Sequence, residues 1–187
     1  MTADARMPDA LLAAIVTVPD VPTPGVAFRD LTPVLADPAL YADALERLAA
    51  PGAGDVPGGG ITHVVGVEAR GFWFGPTLAA RLGAGFVPAR KPGKLPRAVV
   101  TEAYALEYGT DTLALHADAF ADAFAGGARV LVHDDVLATG GTAAAACALV
   151  VAAGGTLVGV SVVMEIAALG GRSRLPAGVR FAAVLTV

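Results

Sequence analysis

The chain has 187 residues, a length that predicts one domain with a sizeable core. Its composition, 55% hydrophobic and 16% charged, excludes a disordered chain, and its net charge of -4 argues against a nucleic-acid partner, which normally requires a basic face. The single cysteine, Cys147, excludes a disulfide framework and a cysteine-rich zinc site. No basic region followed by an apolar stretch opens the chain, so we expect no signal peptide and a cytoplasmic protein.

The first third of the chain predicts a few short elements. Residues 9–18 have the pattern of a short helix, and the proline-rich residues 21–33 are predicted to be extended. Asp37 is placed to cap a helix over residues 39–50. The glycine-rich residues 51–60 are predicted to form a surface loop.

From residue 63 onwards, strand and helix patterns alternate. Strands are predicted at 63–67, 86–89, 99–104, 112–116, from 129 to the aspartates at 134 and 135, at 156–166 and at 181–187, and helices at 75–82, 117–124 and 143–153. This alternation predicts an α/β fold with a central, mostly parallel sheet flanked by helices. Although residues 140–164 lack charge, the pair Gly154-Gly155 divides them into a helix and a strand that are each too short to span a membrane.

The most informative motif joins an apolar strand to an apolar helix. The strand that starts at Arg129 runs into Asp134 and Asp135, and the small-residue turn 138–142, Ala-Thr-Gly-Gly-Thr, opens the next helix. Backbone N–H groups at such a helix N-terminus bind phosphate, and the glycines let the chain approach the anion closely. Because two carboxylates would repel a bare phosphate, they predict a ligand that also carries hydroxyl donors, such as a sugar phosphate.

A second feature concentrates positive charge. No acidic residue lies between Glu68 and Glu102, yet this stretch holds six of the thirteen lysines and arginines. Loops after parallel strands gather at one edge of a sheet, so these cations are predicted to form an anion site near the aspartates. The two sites together fit phosphoribosyl pyrophosphate, which has phosphate at both ends and a diol between them.

Four further stretches resemble the adenine phosphoribosyltransferases, a branch of the type I phosphoribosyltransferase family. They read PTPGVAFRD at 22–30, EARGF at 68–72, VPARKPGKLP at 87–96 and LEYGT at 106–110. The resemblance implies a single domain over residues 1–187, in which about residues 1–35 form a small hood on the purine side. It implies transfer of the 5-phosphoribosyl group from phosphoribosyl pyrophosphate to N9 of adenine, giving AMP and pyrophosphate in purine salvage.

The same resemblance assigns roles to individual residues. The ribose and 5′-phosphate would be bound by Asp134, Asp135, Ala138, Thr139, Gly140, Gly141 and Thr142, the pyrophosphate by Arg70, Arg90, Lys91 and Lys94, and adenine by Ala27 and Arg29. Glu107 is the candidate for handling the proton on adenine. Mg²⁺ would be held through the substrate, the protein would form a homodimer, and the Glu68–Ala69 peptide bond would be cis.

Three other interpretations remain open at the level of sequence. The enzyme could act on another purine, such as a 6-oxopurine, although the segments at 24–26 and 106–110 favour adenine. A non-catalytic sensor of phosphoribosyl pyrophosphate would need a DNA-binding module, for which the short N-terminus leaves no room. A structural role would explain neither the cation cluster nor the aspartate motif.

Overall fold

The structure, a computed structural model, describes residues 9–21, 23–49, 59–106, 109–121 and 127–187. Contacts along the chain divide it into two compact units, Met1–Glu46 and Arg47–Val187. The predicted loop at 51–60 lies outside the described residues except for Gly59 and Gly60.

The first unit contains short elements. They are α1 (Ala10–Ala14), β1 (Val16–Pro19), β2 (Ala27–Asp30), α2 (Thr32–Ala36) and the start of α3 (Pro38–Ala49). The helix predicted over 9–18 is therefore wrong in its second half. There the β-branched residues Val16, Thr17 and Val18 pair as a strand with β2 in an antiparallel ladder.

Helix α3 begins as the sequence predicts. Asp37 Oδ1 accepts hydrogen bonds from the backbone N–H groups of Ala39 at 2.8 Å and of Leu40 at 3.1 Å. The apolar side chains of Ala44, Leu45 and Leu48 are buried, as their helical spacing requires.

The second unit is built around a parallel sheet. Its elements are β3 (His63–Val67), α4 (Gly75–Arg81), β4 (Gly85–Ala89), β5 (Val99–Leu106), β6 (Gly109–His116), β7 (Arg129–Leu137), α5 (Gly141–Ala152), β8 (Thr156–Glu165) and β9 (Arg180–Thr186), with short 3-10 turns at Arg70–Phe72, Ala167–Leu169 and Gly171–Arg174. The sheet has the order β4-β3-β7-β8-β9, and every neighbouring pair in it is parallel. This confirms the predicted fold class.

Helices cover both faces of the sheet. On one face, Val130 and Val132 of β7 share a core cluster with Ala146 and Leu149 of α5. His133 alternates with Val132 and so points to the other face, where its ring makes an edge contact with Phe74 just before α4. Two buried faces explain why residues 130–132 of β7 are apolar without alternation.

Strands β5 and β6 form a separate antiparallel hairpin. Arg90, just after β4, exchanges backbone hydrogen bonds with Ala114 of β6, which ties the hairpin to the sheet. The helix predicted at 117–124 is wrong where the structure describes it. Residues 117–121 form turns closed by i→i+3 bonds such as Ala121 N–H to Asp118 O, so no α-helical ladder starts there.

Candidate active site at the carboxyl edge of the sheet

The predicted site residues of the second unit gather where the strand order of the sheet reverses. Strands β3 and β7 are neighbours, while the chain continues from β3 to β4 on one side and from β7 to β8 on the other. Loops leaving the carboxyl ends of two such strands diverge and leave a crevice between them, the usual ligand site of open α/β sheets. The Glu68–Gly71 loop follows β3, and the aspartate motif forms the end of β7.

Asp134 and Asp135 lie within the last four residues of β7. Asp135 is only 2% exposed, and its backbone N–H donates to Asp134 Oδ1 at 2.9 Å. Arg70 Nε lies 2.9 Å from Asp135 Oδ2. Because that oxygen accepts no well-aligned hydrogen bond, the contact is mainly a charge pair.

Burial is the largest influence on the pKa values of Asp134 and Asp135. It raises the pKa of Asp134, and the neighbouring charge of Asp135 raises it further. Burial also raises the pKa of Asp135, with the Arg70 guanidinium opposing the shift. The site therefore holds two carboxylates whose negative charges are costly until a ligand or cation compensates them.

The loop after β3 packs directly on β7. A Cβ on Gly71 would lie 2.9 Å from the carbonyl oxygen of His133 and 3.2 Å from Asp134 Oδ1, closer than a side chain can fit. Glycine at this position thus allows the close approach that brings Arg70 to Asp135. The Glu68–Ala69 peptide bond is cis, which confirms that expectation.

The turn 138–141 forms the N-terminus of α5. Gly140 is the N-cap in the left-handed region at φ 82°, and no side chain caps the helix. The backbone N–H groups of the first turn are therefore available to an external acceptor. Thr139 and Thr142 are partly exposed here, so their hydroxyls can reach the same ligand.

Two of the cations after β4, Arg90 and Lys91, are paired with the carboxylates of Glu68 and Asp111. Arg90 Nε and Nη2 donate to the two Glu68 oxygens at 3.2 and 3.4 Å, and the backbone N–H of Lys91 donates to Glu68 at 2.9 Å. The Arg90 hydrogen bond is the main reason why the pKa of Glu68 is lowered. The Arg90 carbonyl and N–H also bind β6, so this segment is fixed at both side chain and backbone.

Lys91 has a partner of its own. Its Nζ lies 2.8 Å from Asp111 Oδ2 on β6, a contact that lowers the pKa of Asp111 and raises that of Lys91. The Tyr104 hydroxyl donates to the same carboxylate at 3.3 Å. Burial raises the pKa of Tyr104, while a hydrogen bond from the Thr142 side chain opposes the shift. Lys94 is exposed on the turn that follows Lys91.

The other predicted site residues are Ala27, Arg29 and Glu107. Ala27 and Arg29 lie on β2 of the first unit, where Arg29 Nη1 donates to Thr17 Oγ1. Glu107 lies outside the described residues. Cys147 is buried within α5, and burial raises its pKa to about 12, which fits a packing role.

Sequence reasoning missed Glu68 and Asp111 as partners of the cations. Glu68 had a signal, since it is the last acid before the acid-free stretch and directly follows a strand. Asp111 had none, because only the pairing of the hairpin brings it to Lys91. Among the described parts of the chain, no group of three metal-binding side chains is present.

Comparison with known proteins identifies the family. A family model described as the phosphoribosyl transferase domain matches residues 35–177. The adenine phosphoribosyltransferase of Acidothermus cellulolyticus is 52% identical over 169 residues, covering 90% of this chain and 91% of that protein. The chain belongs to the adenine phosphoribosyltransferase family.

Solved structures of this family share the fold. The adenine phosphoribosyltransferase of Rhodothermus marinus matches with a TM-score of 0.85 and 51% identity, covering 95% of this chain and 96% of that one. The Saccharomyces cerevisiae enzyme, complexed with D-2,5-dideoxy-2,5-imino-altritol 1,6-bisphosphate and adenine, matches with a TM-score of 0.83 and 38% identity over 91% and 94% of the two chains.

Proposed function

We propose that this protein transfers the 5-phosphoribosyl group of phosphoribosyl pyrophosphate to N9 of adenine, giving AMP and pyrophosphate. The observation that supports this best is the order of charges at the edge of the sheet. The Asp134–Asp135 pair is followed along the chain by a glycine turn and an uncapped helix N-terminus, and Asp135 faces Arg70, one of the cations. A donor with two phosphate ends and a central diol matches that order.

The turn 138–142 binds the 5′-phosphate in this proposal. The open N–H groups at the start of α5 and the hydroxyls of Thr139 and Thr142 all donate hydrogen bonds, and the helix dipole favours negative charge at this end. The absence of a side-chain cap leaves these donors for the ligand. Asp134 and Asp135 then accept hydrogen bonds from the two ribose hydroxyls.

Arg70, Arg90, Lys91 and Lys94 bind the pyrophosphate end. Glu68 orients Arg90 through two hydrogen bonds, whereas Asp111 pairs with Lys91 and competes with the pyrophosphate for it. The pyrophosphate takes its place among groups that are already ordered, which reduces the entropy lost on binding.

The reaction moves charge in a direction that this arrangement favours. As the C1′–oxygen bond to pyrophosphate breaks and the N9–C1′ bond forms, the ribose ring becomes positive and the leaving group becomes more negative. The carboxylates next to the ring and the cations at the diphosphate each stabilise a charge that grows toward the transition state.

Mg²⁺ is part of this proposal. Within the described ranges no three metal-binding side chains come together, and the neighbouring carboxylates of Asp134 and Asp135, the latter beside Arg70, suit a cation that takes most of its oxygen ligands from substrate and water. When bound, Mg²⁺ would neutralise charge on the pyrophosphate and ribose oxygens.

Adenine recognition is assigned to Ala27 and Arg29, largely through backbone groups, and proton handling at N9 to Glu107. The base must lose its N9 proton as it attacks, so a glutamate near it can accept that proton. We also propose that residues 1–187 act as one domain, that the enzyme is a cytoplasmic homodimer, and that nucleic acid and membranes are not its partners. No helix in the described ranges is long and apolar enough to cross a membrane.

An AMP-formation assay tests this function. We expect turnover with adenine, phosphoribosyl pyrophosphate and Mg²⁺, and little or none with hypoxanthine, guanine or xanthine. Turnover with an oxopurine in place of adenine would overturn the base assignment alone. Glu107→Gln should lower kcat by about 10²-fold or more, whereas Glu102→Gln, an exposed glutamate on β5, should not.

A further inference from the structure

The turn that we assign to the 5′-phosphate rests on a second backbone segment. A Cβ on Gly140 would overlap the carbonyl oxygen of Gly171, and a Cβ on Gly171 would overlap the carbonyl oxygen of Ala138. The two glycine backbones are therefore in direct contact, with no side chain between them. The position of Gly171 limits where the turn can lie.

Gly171 is in turn fixed by the next residue. Arg172 Nε and Nη2 donate to the two Glu165 carboxylate oxygens at 3.1 and 2.6 Å, and its guanidinium lies 4.4 Å from the centre of the Phe181 ring. Glu165 is 6% exposed and ends β8, where its carbonyl oxygen accepts the N–H of Val187 at 2.9 Å. The contact therefore anchors the 3-10 turn Gly171–Arg174 to the sheet.

The chemistry of this anchor requires arginine. A planar guanidinium can form two parallel hydrogen bonds to one carboxylate while stacking on an aromatic ring, and a lysine ammonium cannot do both. A buried carboxylate without its partner is costly, so the pair stays closed in the folded protein. The turn thus packs on a segment that the Arg172–Glu165 pair ties to the sheet.

We propose that Arg172 and Glu165 are positioning residues, which hold the turn 138–142 in the conformation that binds the 5′-phosphate. Neither residue touches the substrate in this view, and both act through Gly171. The inference rests on the proposed assignment of the turn to the 5′-phosphate.

The test compares binding of the two halves of the donor. Titration calorimetry with ribose 5-phosphate and, separately, with pyrophosphate would be carried out on wild type, Arg172→Gln, Arg172→Lys and Arg174→Gln. Arg174 is an exposed arginine of the same 3-10 turn, so its substitution removes the same charge from the same place. Thr139→Val is added as a direct change to the turn.

We expect Arg172→Gln to weaken ribose 5-phosphate binding roughly ten- to a hundredfold, as for a misplaced binding group, with pyrophosphate binding unchanged. Arg172→Lys keeps the charge but loses the pair of parallel hydrogen bonds, so its affinity for ribose 5-phosphate should lie between those of Arg172→Gln and wild type. The affinity of Arg174→Gln should match that of wild type. A parallel loss of both ligands, or equal effects of the two glutamine variants, would overturn the inference. If Arg172→Gln does not fold, the same comparison of ribose 5-phosphate and pyrophosphate binding is made with Arg172→Lys.

The outcomes separate this inference from the proposed function. If Thr139→Val weakens ribose 5-phosphate binding and Arg172→Gln does not, the turn binds the phosphate without this support and the inference fails alone. If Thr139→Val also leaves ribose 5-phosphate binding unchanged, the assignment of the turn is wrong and the inference fails with it.

Discussion

Replacing Gly140 by alanine should damage both stability and donor binding, and the chain offers a matched control. Gly140 has φ 82° and Gly154 has φ 84°, so alanine meets the same penalty for positive φ at either position. A Cβ on Gly154 meets no atom within 4 Å, whereas a Cβ on Gly140 would overlap Gly171. The difference between the two variants therefore isolates the contact between the two backbones.

The expected losses of stability follow from the cost of a positive φ and the cost of the overlap with Gly171. The left-handed conformation costs alanine roughly 1–2 kcal/mol, which is all that Gly154→Ala should lose. Overpacking adds about 1–3 kcal/mol in Gly140→Ala, because both overlapping groups belong to the backbone and cannot rotate away. For a chain of this size, each kcal/mol lowers the melting temperature by roughly 2–4 °C.

Two assays decide the outcome. Thermal unfolding should place Gly140→Ala below Gly154→Ala by several degrees, and the KM for phosphoribosyl pyrophosphate should rise roughly tenfold or more in Gly140→Ala alone, since the turn must shift. Equal melting temperatures together with an unchanged KM would refute the reasoning, because they would mean that Gly171 does not support the turn.

Two further predictions concern the charges of the site. Asp134→Asn should lose nearly all activity yet gain about 1 kcal/mol of stability at pH 7–8. Because burial raises the folded-state pKa of Asp134, the wild type regains stability as the pH falls toward the ordinary aspartate range, and thermal unfolding should show the variant's advantage shrinking there. A stability gain that does not change with pH would contradict this account. Asp111→Asn should tighten pyrophosphate binding by up to about fivefold, because it removes the carboxylate that competes for Lys91. In calorimetry, Asp118→Asn, which breaks the exposed pair with Arg97, should leave this affinity unchanged, and an equal effect of both variants would point to net charge instead.

Local patterns predict much of this fold. The bounds of β3 and the start of α3 follow from apolar runs and one capping aspartate, because both depend on neighbours in sequence. The predicted helix at 9–18 fails where the β-branched residues Val16, Thr17 and Val18 pair with β2, whose partner residues lie ten to fourteen positions away in sequence. Helix propensity in so short a segment is weak enough for that pairing to decide.

In the candidate site, too, features within one segment can be predicted from the sequence and contacts between distant segments cannot. The aspartate motif and the cations are visible in sequence because each lies within one segment. Their partners are not, since Lys91 meets Asp111 and Gly140 meets Gly171 only through the order of strands and the hairpin register. These contacts depend on tertiary structure that one sequence pattern does not encode.

The most direct measurement of the central claim asks whether the site has two separate anion ends. Dissociation constants for ribose 5-phosphate and for pyrophosphate would be measured by calorimetry on wild type, Thr139→Val and Lys91→Gln. The account predicts a crossed pattern, in which Thr139→Val weakens only ribose 5-phosphate and Lys91→Gln weakens only pyrophosphate, the latter about tenfold as for a lost charge-assisted hydrogen bond. Equal losses of both ligands in either variant would contradict the division of the site between the α5 N-terminus and the cation loop.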